Sequence, residues 1–381
     1  MKIACFAGSE VPSGTANSIQ VMKACHALAQ TGAEVCLWLP HRPGVLAGGE
    51  GGVDWETLAQ HYGLSTPFEV RWLDCPRRWR RYDFAWHALN QARARGVALV
   101  YTWLPQVALL AWLRGMPVIL EMHDLPTGLL APWIFRGFVR QPGRKRLLVI
   151  TEALRSRLEK RYRLALPPGA VQIAPNGTDL ERYAGLPESA TARRALGLPE
   201  APTAVYSGHF YSGRGMDLLL ELAHRLPQVH FLWVGGNPAD VETWRRRLAQ
   251  AGTVNVHLTG FVANSRLPLY QAAGEALLMP YEHRIAGSSG GDSAEICSPM
   301  KMFDYLAAGR AILASDLPVL HEVLNPDNAV LLPPEDVEAW AEALAALLDD
   351  PEYRSKLAGQ ARRDARRYSW QSRAQRALEG F

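Results

Sequence analysis

Short apolar runs alternate with amphipathic stretches along the whole chain, a pattern that predicts parallel strands joined by helices lying on both faces of a sheet. In the first half, 2–7 (KIACFA), 34–39 (EVCLWL), 68–73 (FEVRWL), 97–102 (VALVYT), 117–121 (PVILE) and 147–150 (LLVI) read as strands. Helical spacing marks 16–31, 83–95 and 152–162. The rhythm restarts with strands at 203–207, 229–234, 255–258, 276–279, 311–314 and 329–332, separated by helices at 215–225, 239–251, 299–308, 335–348 and 351–366. Segment 183–202, rich in Ala, Pro and Gly, reads as the connection, with one helical turn inside it. The expected fold is α/β, with two doubly wound Rossmann-like domains (1–185 and 200–366) facing a central cleft. Ser369 is placed as N-cap for a terminal helix from Trp370 to Gly380. That helix, 367–381, follows a complete second sheet and is expected to cross back to the first domain.

Composition agrees with two globular domains: 381 residues, 48% hydrophobic and 20% charged. The net charge of +4 conceals an asymmetry, because residues 1–185 carry 22 Lys and Arg against 14 Asp and Glu, and the remainder 19 against 23. A basic first half suits an anionic surface or acceptor, or is a solvated face without function. Five cysteines are an odd count without paired metal-ligand spacing, which favours a reducing, cytoplasmic compartment. The apolar stretch at the N-terminus is too short for a signal peptide, and no window of about 18 apolar residues predicts a spanning helix.

Four segments carry candidate chemistry. The first is the loop Gly8–Asn17, containing Gly14, which leads from a strand to a helix at the sheet edge where doubly wound domains bind ligands. It is neither a GxGxxG nor a P-loop, and such a turn is also a steric need of the fold. The second is Gly208–Asp217, where His209 and Arg214 flank a Gly-bearing turn at a helix start, an arrangement that suits a diphosphate or places an Arg in a surface loop. The third is His123, at a strand end beside Asp124, positioned to donate a hydrogen bond or proton. The densest is 289–309 (SGGDSAEICSPMKMFDYLAAG): Ser298 reads as N-cap, Pro299 as the first helical residue and Gly309 as the stop. Lys301 and Asp304 share a face of that helix, as a site for an anionic ligand with hydroxyls or as an intrahelical ion pair.

Taken in order, the Gly14 loop, His123 in MHDLP, Pro175–Asp179 (PNGTD), Gly208 with Arg214 and Gly215, and Ser298 to Gly309 resemble the group 1 retaining glycosyltransferases of the GT-B fold over almost the whole chain. The resemblance implies transfer of a sugar from a nucleoside diphosphate sugar to a hydroxyl acceptor, with retained anomeric configuration, no metal and no cofactor beyond the nucleotide sugar as co-substrate. By the same resemblance, Gly14 approaches the donor phosphate through its backbone and His123 meets the donor sugar. Arg214 stands where the family has a diphosphate-binding Lys, His209 where it has Arg, and Asp304 where a Glu grips the ribose. The family's first carboxylate falls eight positions before Asp304, where this chain has Ile296. Glu295 is the nearest acid and is given the donor-sugar role, with Asp292 as the alternative. The catalytic set implied is therefore His123, Glu295 and Arg214, and the donor-binding set Gly14, His209, Arg214, Lys301 and Asp304.

The excess positive charge gathers in Arg77–Tyr82 (RRWRRY) and Trp133–Arg146 (WIFRGFVRQPGRKR). Interleaved aromatic and basic residues suit an anionic membrane surface, an anionic or lipid-linked acceptor, or a solvated face with snorkelling arginines. No nucleic-acid module is legible, so nucleic acid is not expected as a partner. Two other readings stand beside transfer: a nucleotide-sugar epimerase of similar fold, and a non-catalytic nucleotide-sugar-binding scaffold, which the His209, Ile296 and Asp304 departures favour. Within the transfer reading the expected setting is cytoplasmic, with association at the cytosolic face of a membrane if the basic segments serve as the surface-binding alternative.

Overall fold

Continuous apolar runs become the central strands of two parallel sheets, because strands covered on both faces have no solvent side to alternate with. A computed structural model describes residues 1–41, 53–75, 82–126, 129–167, 169–285 and 293–381. Its chain contacts divide into two units, Met1–Asn176 with Trp370–Phe381, and Gly177–Ser369.

The first unit runs β1 (Lys2–Phe6), α1 (Ala16–Gln30), β2 (Glu34–His41), α2 (Trp55–Tyr62), β3 (Glu69–Asp74), α3 (Tyr82–Ala94), β4 (Leu99–Thr102), α4 (Pro105–Leu113), β5 (Val118–Met122), α5 (Ala131–Arg140), β6 (Lys145–Val149), α6 (Glu152–Tyr162) and β7 (Val171–Ile173). Its seven strands lie in the order β3-β2-β1-β4-β5-β6-β7. The order reverses between β1 and β4, so the loops that follow those strands open at a topological switch point. Every residue of β4 and β5 is buried, whereas edge strand β3 is half-buried.

The second unit runs α7 (Ser189–Leu196), β8 (Thr203–Gly208), α8 (Met216–Arg225), β9 (His230–Gly235), α9 (Pro238–Gln250), β10 (Val256–Gly260), α10 (Leu267–Ala272), β11 (Ala276–Met279), α11 (Met300–Ala308), β12 (Ala311–Ser315), β13 (Val330–Leu332), α12 (Val337–Asp349) and α13 (Pro351–Ala365). Its order, β10-β9-β8-β11-β12-β13, repeats the reversal, now between β8 and β11. Trp233 and Trp340 are fully buried in the core beneath this sheet.

The last helix, α14 (Trp370–Leu378), packs on α1 in the first unit. Arg146 holds its end, donating from Nη1 to the carbonyls of Arg376 (3.0 Å) and Ala377 (2.7 Å) and from Nη2 to that of Glu379 (2.6 Å). A cation there meets both the unpaired carbonyls and the negative end of the helix dipole.

Several elements lie outside the periodicity reading. Helix α4 (PQVALLAWL) is apolar all round, so it has no stripe to detect. The single turn expected in 183–202 is the two-turn helix α7, and this stretch lies wholly within the second unit. Strand β7 and helices α2, α5 and α10 are further additions. The start of α11 moves by one residue: Pro299 is the extended N-cap (φ −67°, ψ 124°) and the helix begins at Met300, so Ser298 is not the cap. Among the described residues, no helix is long and apolar enough to cross a membrane.

Candidate functional site

In the second unit, β8 ends at Gly208 (φ +146°) and β9 at Gly235 (φ +119°), backbone conformations that only glycine adopts without strain. A Cβ on Gly235 would stand 2.2 Å from the Gly208 carbonyl oxygen, so these two strand ends close only because residue 235 is glycine. The space a Gly208 side chain would fill holds Lys301 Nζ, which lies 2.7 Å from the position of that absent Cβ. Lys301 is the second residue of α11, and its Nζ lies 3.9 Å from the centroid of the Tyr206 ring and 5.4 Å from that of Tyr281. The ammonium group is buried and has no hydrogen-bond partner among the described residues. Burial, and then the charge of Arg214, push its pKa well below the usual lysine value.

The Arg214 guanidinium lies 4.9 Å from the ring centroids of both Tyr211 and Tyr281 and donates to Tyr211 Oη at 2.8 Å. Next in the chain, Gly215 caps α8 in the left-handed region (φ 70°). A Cβ at that position would fall 1.8 Å from the Pro280 carbonyl oxygen. The β8–α8 loop is thus pinned against the chain leaving β11, and Gly215 N donates to Glu282 Oε1 at 3.1 Å. Two cations share the Tyr281 ring, and among the described residues neither pairs with a carboxylate. Of the two alternatives for Lys301 and Asp304, the intrahelical ion pair is not formed: Asp304, one turn further along α11, accepts from Thr178 Oγ1 at 2.9 Å. A desolvated lysine and a half-buried arginine over an aromatic floor form a site for an anion, since an approaching phosphate would supply the missing counter-charge.

The remaining second-unit candidates lie around this pair. His209 stacks on Tyr211 (centroids 5.3 Å apart, 26° between planes), and its carbonyl accepts from Tyr206 Oη at 2.6 Å. Glu295 is exposed on the turn before α11, flanked by buried Ala294 and Ile296. The position eight before Asp304 is therefore part of the core. Asp292, with Gly290 and Gly291, lies outside the described residues.

In the first unit, Gly14 sits on the loop after β1, followed by Thr15, whose hydroxyl accepts from Ser18 N and caps α1. His123 follows β5 directly, so both residues lie at the carboxyl edge of the sheet. The partner of His123 is Glu121 and not its neighbour Asp124: His123 Nε2 lies 2.5 Å from Glu121 Oε1, while Asp124 Oδ1 accepts from Leu125 N. Glu121 is wholly buried and also bonds Gln20, Tyr101 and Arg373. Burial alone would raise its pKa, but Arg373 and His123 hold it well below the usual carboxylate range.

Of the basic segments, Arg77–Arg81 lie outside the described residues, and Tyr82 begins α3 half-exposed. On and before α5, Leu129, Leu130 and Trp133 are exposed, with Trp133 showing 69% of its surface. Arg136 donates to the Tyr162 carbonyl at 2.6 Å, and Lys145 donates to those of Phe138 and Val139.

Residues that sequence reasoning missed are Tyr206, Tyr211, Tyr281, Thr178, Glu121 and Arg373. The tyrosines sit in or beside strand-like runs and read as core. Glu121 did leave a signal, a lone carboxylate ending a buried apolar strand, which requires partners.

Residues 201–350 match the family described as Glycosyl transferases group 1, and residues 18–182 the one described as Glycosyltransferase Family 4. The chain is 29% identical over 267 residues to the phosphatidyl-myo-inositol mannosyltransferase of Mycobacterium tuberculosis, covering 67% of this chain and 64% of that protein. It is 28% identical over 316 residues to the D-inositol 3-phosphate glycosyltransferase of Xylanimonas cellulosilytica, covering 75% and 71%. The chain thus spans less than two thirds of the length of the mycobacterial relative. Among solved structures, sucrose-phosphate synthase from Thermosynechococcus elongatus matches with a TM-score of 0.73 at 18% identity, over 98% of this chain and 96% of that one. Anabaena HepE in complex with UDP matches with a TM-score of 0.73 at 15% identity, over 100% and 99%. With both family matches falling on its two parallel-sheet units, the chain belongs to the group 1 glycosyltransferases and has the GT-B fold.

Proposed function

We propose that the protein is a retaining, metal-independent glycosyltransferase that moves a hexose-type sugar from a nucleoside diphosphate sugar to a hydroxyl acceptor. The observation that carries this reading is the pair Lys301 and Arg214: two cations over Tyr206, Tyr211 and Tyr281 without a carboxylate partner among the described residues. A diphosphate would complete that arrangement. The same two side chains would meet the charge that develops on the diphosphate as the sugar leaves, the role a divalent cation would otherwise fill. Asp304 is assigned to the ribose hydroxyls, His209 to the diphosphate, and Gly14, His123 and Glu295 to the sugar phosphate and sugar. In a retaining transfer of this kind, the acceptor hydroxyl attacks from the face the diphosphate leaves, and a diphosphate oxygen takes its proton.

For the acceptor we infer an anionic polyol phosphate, free or as a lipid headgroup. Two curated relatives are named for phosphatidyl-myo-inositol and D-inositol 3-phosphate, and the first half of this chain carries the positive excess. Exposed Leu129, Leu130 and Trp133, with Arg140 and Arg144, favour peripheral association with an anionic membrane surface. Five free cysteines support a cytoplasmic setting.

Thermal melting with UDP-, GDP-, ADP- and TDP-sugars tests the donor. A bound sugar nucleotide at 100 times its Kd stabilises by about 2.7 kcal/mol. No stabilisation by any of the four, or an inverted anomer in the product, would overturn the reading. Sedimentation with vesicles, with and without anionic lipid, tests the membrane surface, and equal binding to both would remove the electrostatic part.

A further inference from the structure

We propose that Glu121, clamped by Arg373 of the terminal helix, is a positioning residue that fixes His123 as its Nε2-protonated tautomer and leaves Nδ1 as the nitrogen offered to the donor sugar. The last clause rests on the reading of His123 given above. The first is argued from the first unit alone.

Four side chains, from α1, β4, α14 and the residue after β5, converge on one carboxylate. Glu121 Oε1 accepts from Gln20 Nε2 of α1 (2.7 Å) and from Arg373 Nη2 of α14 (2.7 Å), and lies 2.5 Å from His123 Nε2. Glu121 Oε2 accepts from Tyr101 Oη of β4. Arg373 is held in turn, with Nε donating to the Pro175 carbonyl (2.8 Å), Nη2 to that of Ala174 (3.1 Å) and Nη1 to Tyr101 Oη (3.2 Å). Glu121 and Arg373 are almost wholly buried, whereas the His123 side chain is 28% exposed. Cys25 on α1 also feels the Glu121 charge; its thiol is pushed up by burial and by Cys5 before Glu121 adds to the effect.

An ionised carboxylate only accepts hydrogen bonds, so the short contact to Nε2 requires the proton to be on that nitrogen. In the neutral ring Nδ1 then carries the lone pair, and among the described residues it has no hydrogen bond. A sugar hydroxyl would find an acceptor in a fixed place and orientation. Without Glu121 the ring would be free to rotate and to exchange tautomers. Arg373 neutralises the buried carboxylate, so the clamp does not depend on the charge of His123. The end of the chain thereby sets the geometry of a residue at the edge of β5, although α14 itself need not touch the substrate.

The test is 15N spectroscopy of histidine-labelled full-length protein, with His123→Ala assigning the ring, alongside hydrolysis of UDP-glucose and GDP-mannose. The wild type should show a pyridine-type Nδ1 and a pyrrole-type Nε2 at His123. Glu121→Gln, whose amide can donate as well as accept, should bring in the second tautomer and lower kcat about 10- to 100-fold, with KM changed less than about threefold. Arg373→Met should behave likewise, and Arg373→Lys should restore the wild-type spectrum and most of kcat. This second pair keeps the test open if Glu121→Gln does not fold. A wild-type His123 protonated mainly on Nδ1 would overturn the proposal, as would a variant with a mixed tautomer and unchanged kcat, or kcat losses that track the folded fraction. If the wild type turns over neither sugar nucleotide and binds neither, the donor reading fails, and the spectrum still decides whether Glu121 fixes the tautomer.

Discussion

Lys301→Met should make the protein more stable and a weaker binder of nucleotides, two effects of opposite sign from one substitution. Lys301 Nζ is buried, has no hydrogen-bond partner among the described residues and lies 3.9 Å from the Tyr206 centroid. Removing an unsatisfied buried donor relieves about 1–3 kcal/mol. Against this stands the loss of a cation–π contact worth about 0.5–2 kcal/mol. Methionine matches the length of the lysine stem and returns about 0.3–1.5 kcal/mol through sulfur–aromatic contact. The balance is a gain of about 1 kcal/mol, which for a unit of this size raises Tm by about 2–4 °C. A diphosphate, in contrast, loses one charge-assisted hydrogen bond worth about 1.5–3 kcal/mol, or roughly 10- to 150-fold in Kd. Melting curves of the unliganded variant, with calorimetric titration by UDP and GDP, measure both quantities. A Tm lower by several degrees together with an unchanged Kd would make Lys301 a structural strut and refute the reasoning.

Gly208→Ala should reach the same site from the other side. A Cβ 2.7 Å from Lys301 Nζ displaces the ammonium, so nucleotide affinity should fall about tenfold, with about 1–2 kcal/mol of backbone strain at φ +146°. Gly215→Ala places a Cβ 1.8 Å from the Pro280 carbonyl oxygen and should cost more than about 3 kcal/mol, read as a Tm drop or loss of soluble protein; a wild-type Tm would refute the contact. Nucleotide binding should also take up protons. The pKa of Lys301 in the unliganded protein is depressed, and a diphosphate returns it toward its usual value. Uptake should therefore grow toward one proton as pH rises through the depressed value, and should vanish in Lys301→Met. Titration in two buffers of different ionisation enthalpy measures this, and proton release would contradict it.

Most strands and the longer helices were legible in the sequence, because an apolar run bounded by turn residues has one physical outcome in a parallel sheet. The exceptions share a cause. Helix α4 has no polar face, and α7 lies in an Ala- and Pro-rich stretch where composition pointed to a connection, so periodicity had nothing to report. The proposed donor site was half legible for a related reason. Lys301, Arg214 and the glycines at 208 and 215 stand out by residue type and spacing, but Tyr206 and Tyr281 look like ordinary buried aromatics. Only their position against two cations that lack a carboxylate partner among the described residues gives them a second role. Glu121 and Arg373 are 252 positions apart, and no local pattern could join them.

Net charge misled for the same reason that placement informs. The first half carries the positive excess, yet Arg136, Lys145 and Arg146 donate to main-chain carbonyls, the last of them holding the end of α14. Cations used this way stabilise the fold and keep their charge, but their donors are committed to carbonyls and fewer hydrogen bonds are left for a ligand. Arg140 and Arg144, exposed at the end of α5 and in the loop after it, are better placed to attract the proposed phosphate-bearing acceptor. The second half is net acidic, but several of its carboxylates pair with other arginines: Glu275 with Arg193, Glu338 with Arg225, Asp217 with Arg247. What remains at the switch point of that sheet is Lys301 and Arg214 over tyrosine rings, with no carboxylate partner among the described residues. On the proposed function, the diphosphate goes to the cations that lack a carboxylate partner among the described residues, and the summed charge of a domain does not measure that availability.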